Sequence, residues 1–407
     1  MSVHVIIRHG DRQNLHIIDN YEDIKIPCKL EKYSIGDVPE MAMYENFMRA
    51  ETAKPPRRQD QSFSNWELFP DEDWCSPGEL TPTGAMQHVK NGLLMRKRYV
   101  DNFNLFSKNK DVHSQILVRS TLWSRTYQSA LALLFGLLKN FNVTQLHIET
   151  CDPSLCHEKY TDLPCNCPLV APYMDIMSAT YRQLHPDVMS ISRSKNVIKH
   201  YAEVFGISEK QVPKLSNLMD IGMVHICQKH GLPRNSKSPE SCTQAWAVRD
   251  VHDIIQDNGR KQSKSEEFQT IAKLKYLPLL QEITNRLLEQ AHGDSDIKFA
   301  LYSGHDTTIN PLAIALNFSE GLWPPYASRI VIELYRLKHN PKTTSTDNFY
   351  LKVLFNGLNV NTEIEFCRKH LVSESNLCPL SIFVDYVQNM LKNLGKDSYE
   401  DACRMPL

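Results

Sequence analysis

The segment Val3-His4-Val5-Ile6-Ile7-Arg8-His9-Gly10-Asp11-Arg12 joins two kinds of sequence at one point. Its first half is apolar and β-branched, the pattern of a buried strand. Its second half breaks that run with guanidiniums around one imidazole, and with a glycine that permits a tight turn and close backbone approach. Two more segments share the design. Gln115-Ile116-Leu117-Val118 runs into Arg119-Ser120-Thr121, and Lys298-Phe299-Ala300-Leu301-Tyr302-Ser303 runs into Gly304-His305-Asp306. Helix-like patterns follow them. Ala130-Leu131-Ala132-Leu133-Leu134 lies downstream of Arg125, and Ile309, Leu312, Ala313 and Leu316 follow Asp306 at i, i+3, i+4, i+7 spacing. Strand then helix, repeated, is the pattern of an α/β fold with a mainly parallel central sheet flanked by helices. Ligands of such sheets sit beyond the carboxyl ends of the strands, so the three polar breaks are expected to converge on one site.

Outward from these segments, Leu80 to Tyr99 reads as a long helix and Gln145 to Thr150 as a further strand. Arg329 to Tyr335 and Phe349 to Phe355 flank a polar turn region and predict a hairpin. From Cys151 to about Gln290 the pattern turns polar and helical, with loops such as Leu232 to Ser241 and Asp257 to Ser265. The expected organisation is an α/β core formed by 1–150 and 291–407, interrupted by an inserted, helical, cysteine-rich cap over 151–290. A chain of 407 residues is long enough for that arrangement.

Composition narrows the function. With 46 Lys+Arg against 47 Asp+Glu, the chain lacks the basic excess of a protein that coats nucleic acid or anionic membrane. Eleven cysteines suggest an oxidising, secretory-pathway compartment. Yet the opening MSVHVIIRHG has no signal-peptide pattern, and the apolar stretch Ala130 to Leu138 is far short of the roughly 20 residues of a spanning helix. Cys151, Cys156, Cys165 and Cys167 lack a C-x₂-C pair and read as disulfide partners before they read as zinc ligands. The sequons at Asn142 and Asn317 suit luminal glycosylation. Lys54-Pro55-Pro56-Arg57-Arg58 reads as a solvated loop with a possible anionic-glycan contact, and Trp66, Trp74 and Trp123 as core residues or sugar platforms.

The strand ends carry the chemistry. Converging arginine forks make a phosphate cradle, because the planar guanidinium matches two phosphate oxygens at once. Arg8 and Arg12 flank His9, and Arg119 can add a third fork. Cations around His9 favour its neutral form, which leaves a ring nitrogen free to attack phosphorus. His305 can donate a further hydrogen bond, and Asp306 can hand a proton to the leaving alkoxide and then, as carboxylate, activate water. Fixed cations meet the developing charge, so neither a metal nor an organic cofactor is called for.

These residues resemble the acid phosphatase branch of the histidine phosphatase superfamily, whose signature is R-H-G-x-R-x-P near the N-terminus with H-D towards the C-terminus. Supporting matches are Gly78-Glu-Leu-Thr-Pro-Thr-Gly84, Arg119-Ser-Thr-Leu-Trp-Ser-Arg125 and Trp323-Pro-Pro-Tyr-Ala327. The resemblance implies that His9 is the phosphorylated nucleophile, that Arg8, Arg12, Arg119 and His305 bind the phosphate, and that Asp306 is the proton donor. It departs from the family at Asn14, where the signature has proline. Within the branch, the opening VHVIIRHGDR, the Cys165-Asn-Cys167-Pro run and the ending Tyr399-Glu-Asp-Ala-Cys403 resemble enzymes that remove the 2-phosphate of xylose in the glycosaminoglycan–protein linkage region. That implies a phosphorylated glycan as substrate and a Golgi-lumenal type II membrane protein, whose anchor would precede Met1. The alternatives are a lysophosphatidic acid or general acid phosphatase, a catalytically inactive glycan-binding relative, and a secreted or cytoplasmic location.

Overall fold

The computed structural model describes residues 1–30, 39–54, 62–152, 154–157, 163–168, 170, 192–337, 348–372, 374–392, 395 and 398–403. Its centre is one sheet of eight strands: β1 (Ser2–Arg8), β2 (Ile116–Thr121), β3 (Ile148–Cys151), β4 (Phe299–Gly304), β5 (Arg329–Arg336), β6 (Phe349–Phe355), β7 (Leu358–Asn359) and β8 (Cys378–Pro379). They lie in the order β3-β2-β4-β1-β5-β6-β7, with β8 also on β6. The first four are parallel, whereas β5 runs antiparallel to β1, and β6 antiparallel to β5 as the expected hairpin. Every residue of β1, β2 and β4 is buried, as apolar runs without alternation require of a sheet covered on both faces.

Register decides where the chemistry goes. Val3 pairs with Phe299 and Arg8 with Gly304, so β1 and β4 end side by side. The next residues, His9 and His305, are thereby brought together from opposite ends of the sequence.

Among the described residues, the eight longest helices form most of the flanks: α1 (Pro39–Thr52), α2 (Pro82–Met95), α3 (Ser124–Leu138), α4 (Ser192–Phe205), α5 (Leu215–Cys227), α6 (Ala245–Ser263), α7 (Glu266–His292) and α8 (Asp306–Ala315). α1, α2 and α3 share a core with Val3, Val5, Ile7 and Val118 on one face of the sheet. α7 and α8 cover the other face, packing on Ile6, Tyr302 and Ile332. α4, α5 and α6 form a separate apolar cluster that includes Ile18 and Tyr21 from the segment after β1. That cluster ends at α6. α7 belongs to the sheet, earlier in the chain than the expected boundary at 290, because Leu277, Leu280, Ile283 and Leu287 face the core. The long helix expected from Leu80 to Tyr99 is α2, followed by a wider π-helical turn over Arg96–Asn102.

Eight cysteines pair as Cys28–Cys75, Cys156–Cys165, Cys167–Cys403 and Cys367–Cys378, while Cys151, Cys227 and Cys242 are free thiols. Cys167–Cys403 spans 236 residues, and in the chain-entropy picture such a link is worth about 5 kcal/mol. Trp66 packs edge-on against Phe63, whereas Trp74 and Trp123 are about half exposed. Of the Lys54–Arg58 loop, only Lys54 lies within the described residues. No helix among the described residues is long and apolar enough to cross a membrane.

Candidate active site

His9 leaves β1 into a tight, fully paired turn. Its N–H donates to Gly304 O at 2.9 Å and its carbonyl accepts from Ala327 N at 3.1 Å. Gly10 makes the turn possible, since a Cβ there would lie 2.3 Å from the carbonyl oxygen of Gly84 in the first turn of α2. His9 Nδ1 lies 2.7 Å from Gly10 O. A carbonyl only accepts, so Nδ1 carries the proton and the lone pair sits on Nε2. Burial first, then the charges of Arg8, Arg125 and Arg12, hold the ring well below the usual histidine range and hence neutral.

Three arginines surround this ring. Arg8 Nη2 meets Asp306 Oδ2 at 3.0 Å, Arg8 Nη1 donates to Pro324 O, and the guanidinium stacks 4.3 Å above the Tyr326 ring. Arg12 is gripped end-on by Asp220, through Nη2 to Oδ1 at 2.8 Å and Nη1 to Oδ2 at 3.2 Å. Arg125, in the first turn of α3, lies 4.4 Å over the Trp123 ring. Burial and the neighbouring Arg12 pull its pKa down to about 10, the mark of a cation short of counter-charge. The Nε–H groups of Arg8, Arg12 and Arg125 are all buried and meet no acceptor among the described residues. Buried donors are ordinarily satisfied. Three such groups around one neutral imidazole define a place for the oxygens of a compact anion.

His305 and Asp306 enter at the start of α8. The His305 ring stands edge-on to that of His9, with centroids 5.5 Å apart, and Thr121 Oγ1 holds its Nε2 at 2.9 Å. Burial, then Arg125, lower its pKa to about 4. Asp306 is the open member of the group, with 21% of its side chain exposed. It borders a groove of about 430 Å³ lined by Trp323, Phe268, Ile255, Lys275 and Asn310 among others, where a leaving group has room.

Arg119 is not with this group. It lies two residues before the end of β2 on the face covered by α7, where its guanidinium pairs with Glu149 at 2.9 Å and Glu282 at 2.5 Å. Arg125 takes the place beside His9 and Arg12 that was expected of Arg119, because β2 runs on to Thr121 and the next helix begins at Ser124. Sequence reasoning also passed over Tyr326, Thr121 and Asp220. Arg125 had a usable signal: helix N-termini at the carboxyl edge of a parallel sheet are where anions bind. Asp220 had none, since it lies 208 residues from Arg12. Among the described residues no group of three or more His, Cys, Asp or Glu could hold a metal ion.

An unprotonated imidazole nitrogen ringed by cationic forks, with a carboxyl group on its open side, is the apparatus of phosphoryl transfer. The model of the histidine phosphatase superfamily (branch 2) matches residues 1–356, and the chain belongs to that family, whose members act through a phosphohistidine intermediate. It is a phosphoric monoester hydrolase. Its relatives include 2-phosphoxylose phosphatase 1 of Xenopus tropicalis, 31% identical over 100% of this chain and 78% of that protein. The human protein of the same name is 28% identical over 99% and 81%. Among solved structures, the phytase of Citrobacter braakii matches 96% of this chain and 97% of its own at a TM-score of 0.56 and 16% identity, a likeness of fold.

Proposed function

We propose that this enzyme hydrolyses its phosphomonoester in two steps on His9, and that the ester is a phosphorylated sugar of the 2-phosphoxylose kind. The observation that carries the chemistry is the set of three buried, unpartnered Nε–H groups around a neutral His9. In the first step His9 Nε2 attacks phosphorus while Arg8, Arg12 and Arg125 hold the equatorial oxygens, with the His305 ring beside them. Asp306 gives its proton to the departing alkoxide as the P–O bond breaks. In the second step the Asp306 carboxylate takes a proton from water, which attacks the phosphohistidine and releases phosphate and neutral His9.

The sugar substrate rests on the relatives named for 2-phosphoxylose, which align with this chain almost end to end. Four disulfides suit an oxidising compartment such as the Golgi lumen, where a glycan substrate of that class is assembled. α5 and α6 act as its cap, with Asp220 of α5 on Arg12 and Ile255 of α6 in the groove. The deciding assay compares kcat/KM on a linkage oligosaccharide bearing 2-phosphoxylose with lysophosphatidate and glycerol phosphate. The glycan is expected to lead by at least tenfold. Equal turnover of all three would overturn the sugar assignment and leave a general acid phosphatase.

A further inference from the structure

A carboxylate beside a phosphate cradle is a puzzle, because it repels the anion the cradle is built to hold. Asp220 is such a group. It and Arg12 are each only 8% exposed, so water screens their interaction little. Its two oxygens face the two Nη groups of Arg12, and Oδ2 also accepts from Leu15 N at 3.0 Å. Arg12 Nη1 additionally donates to Gln13 O at 3.0 Å, which uses both protons of that nitrogen. The end-on edge of the guanidinium is therefore taken. What remains is the side-on edge, the Nε–H with no acceptor among the described residues and the second proton of Nη2.

Asp220 does not arrive there by a local turn. It is carried by α5 of the insertion, which docks on the segment after β1 at three further points. Gln228 Nε2 donates to Asp11 Oδ2, His225 Nε2 meets Tyr21 OH at 2.8 Å, and Val224 packs with Ile24, Ile26, Cys28 and Cys75. Those contacts hold the carboxylate in place whether or not substrate is bound.

We propose that Asp220 is a positioning residue for the phosphate site: docked through α5, it occupies the end-on edge of Arg12 and turns the side-on edge to the phosphoryl group. The inference rests on the reading of Arg12 as a phosphate ligand. It makes the insertion a working part of the phosphate site in addition to a cover, since the third element of the cradle is aligned from outside the sheet.

The two roles open to Asp220 have opposite signs. If it only adds negative charge, Asp220→Asn tightens inorganic phosphate. If it aims Arg12, the same change weakens phosphate and lowers kcat/KM by ~10–100-fold, the scale of a misaligned reacting group. The test is a double-mutant comparison of Asp220→Asn, Arg12→Ala and the pair, read as kcat/KM on a phosphomonoester and Ki for inorganic phosphate. The thermal midpoint of each variant serves as the control for folding. Asp220→Asn is expected to be costly in the wild-type background and nearly silent once Arg12 is gone. Equal loss in both backgrounds, or tighter phosphate binding by Asp220→Asn, would overturn the proposal. An Arg12→Ala variant with unchanged phosphate affinity would instead overturn the reading of the site itself. Should Asp220→Asn fail to fold, Asp220→Ser, with one acceptor left for Leu15 N–H, is read by the same criteria.

Discussion

Arg119 and Arg125 stand six residues apart in Arg119-Ser-Thr-Leu-Trp-Ser-Arg125, and replacing each tests the proposal that the first is a structural cation and the second a phosphate ligand. For Arg125→Ala, the loss is one guanidinium about 4 Å from a phosphoryl charge. At an effective dielectric of about 20 that interaction is worth about 4 kcal/mol. Removing one donor of a preorganised oxyanion site costs ~10²–10³ in rate, which agrees in scale. Arg125→Ala is therefore expected to lower kcat/KM by ~10²–10³ and weaken inorganic phosphate, with little change in stability. Arg119→Met strands Glu149 and Glu282, whose side chains are 5% and 1% exposed. Breaking a buried ion pair costs about 3–5 kcal/mol, and Arg286, 2.9 Å from Glu282, offsets part of that. Its expected signature is a lower urea midpoint, with the folded enzyme still binding phosphate normally. Arg119→Lys keeps one charge and gives the same comparison if the methionine variant is too unstable. Steady-state kinetics, phosphate inhibition and urea titration are enough. A stable Arg119 variant with weakened phosphate binding, beside an Arg125 variant with normal binding, would refute the reasoning.

Other outcomes follow from the same geometry. His4 and His88 are held to about 3 and His305 to about 4, in each case chiefly by burial. Their folded values lie below the unfolded value, so they favour folding fully above ~6.5 and lose that contribution as pH falls towards 3–4. Asp11, raised to about 6 by burial, acts oppositely and loses its contribution as pH rises through about 6. These four groups together amount to close to two protons near pH ~5, on the order of 3 kcal/mol per pH unit, with His9 adding in the same direction, and a urea midpoint that did not fall between pH ~6.5 and ~4.5 would contradict it. His9 is lowered by burial and by Arg8, Arg125 and Arg12. The acid limb of kcat/KM set by the nucleophile is therefore expected below the ordinary histidine range, and a limb at ~6.5 would count against His9. Asp306→Asn is expected to slow alkyl phosphates by ~10²-fold and p-nitrophenyl phosphate much less, since only the alkoxide needs the proton. Equal loss on both would remove Asp306 from that role.

Much of this arrangement was legible in residue order. The β-branched run of β1 and the matching run of β4 announce buried parallel strands, and their polar breaks announce where His9 and His305 emerge. The hairpin β5–β6 shows in the same way. Arg119 was misread because an apolar run does not say at which residue the strand stops: β2 continues to Thr121, which leaves Arg119 inside the sheet opposite Glu149. The expected boundary at 290 puts α7 with the cap for a related reason. α7 mixes polar and apolar residues without a clear stripe and so reads as part of a polar cap, and only tertiary packing shows that Leu277, Leu280, Ile283 and Leu287 lie in the sheet's core. Asp220 was beyond reach, since a carboxylate on a polar helix acquires meaning only when the fold sets it against Arg12.

The central claim is a covalent phosphate on His9. Enzyme mixed with a ³²P-labelled phosphomonoester, denatured within the first turnovers and digested, is expected to carry acid-labile, alkali-stable label on the peptide containing Arg8-His9-Gly10. His9→Ala is expected to carry none and to turn over no substrate. Label on another residue, or turnover that persists in folded His9→Ala, would contradict the account.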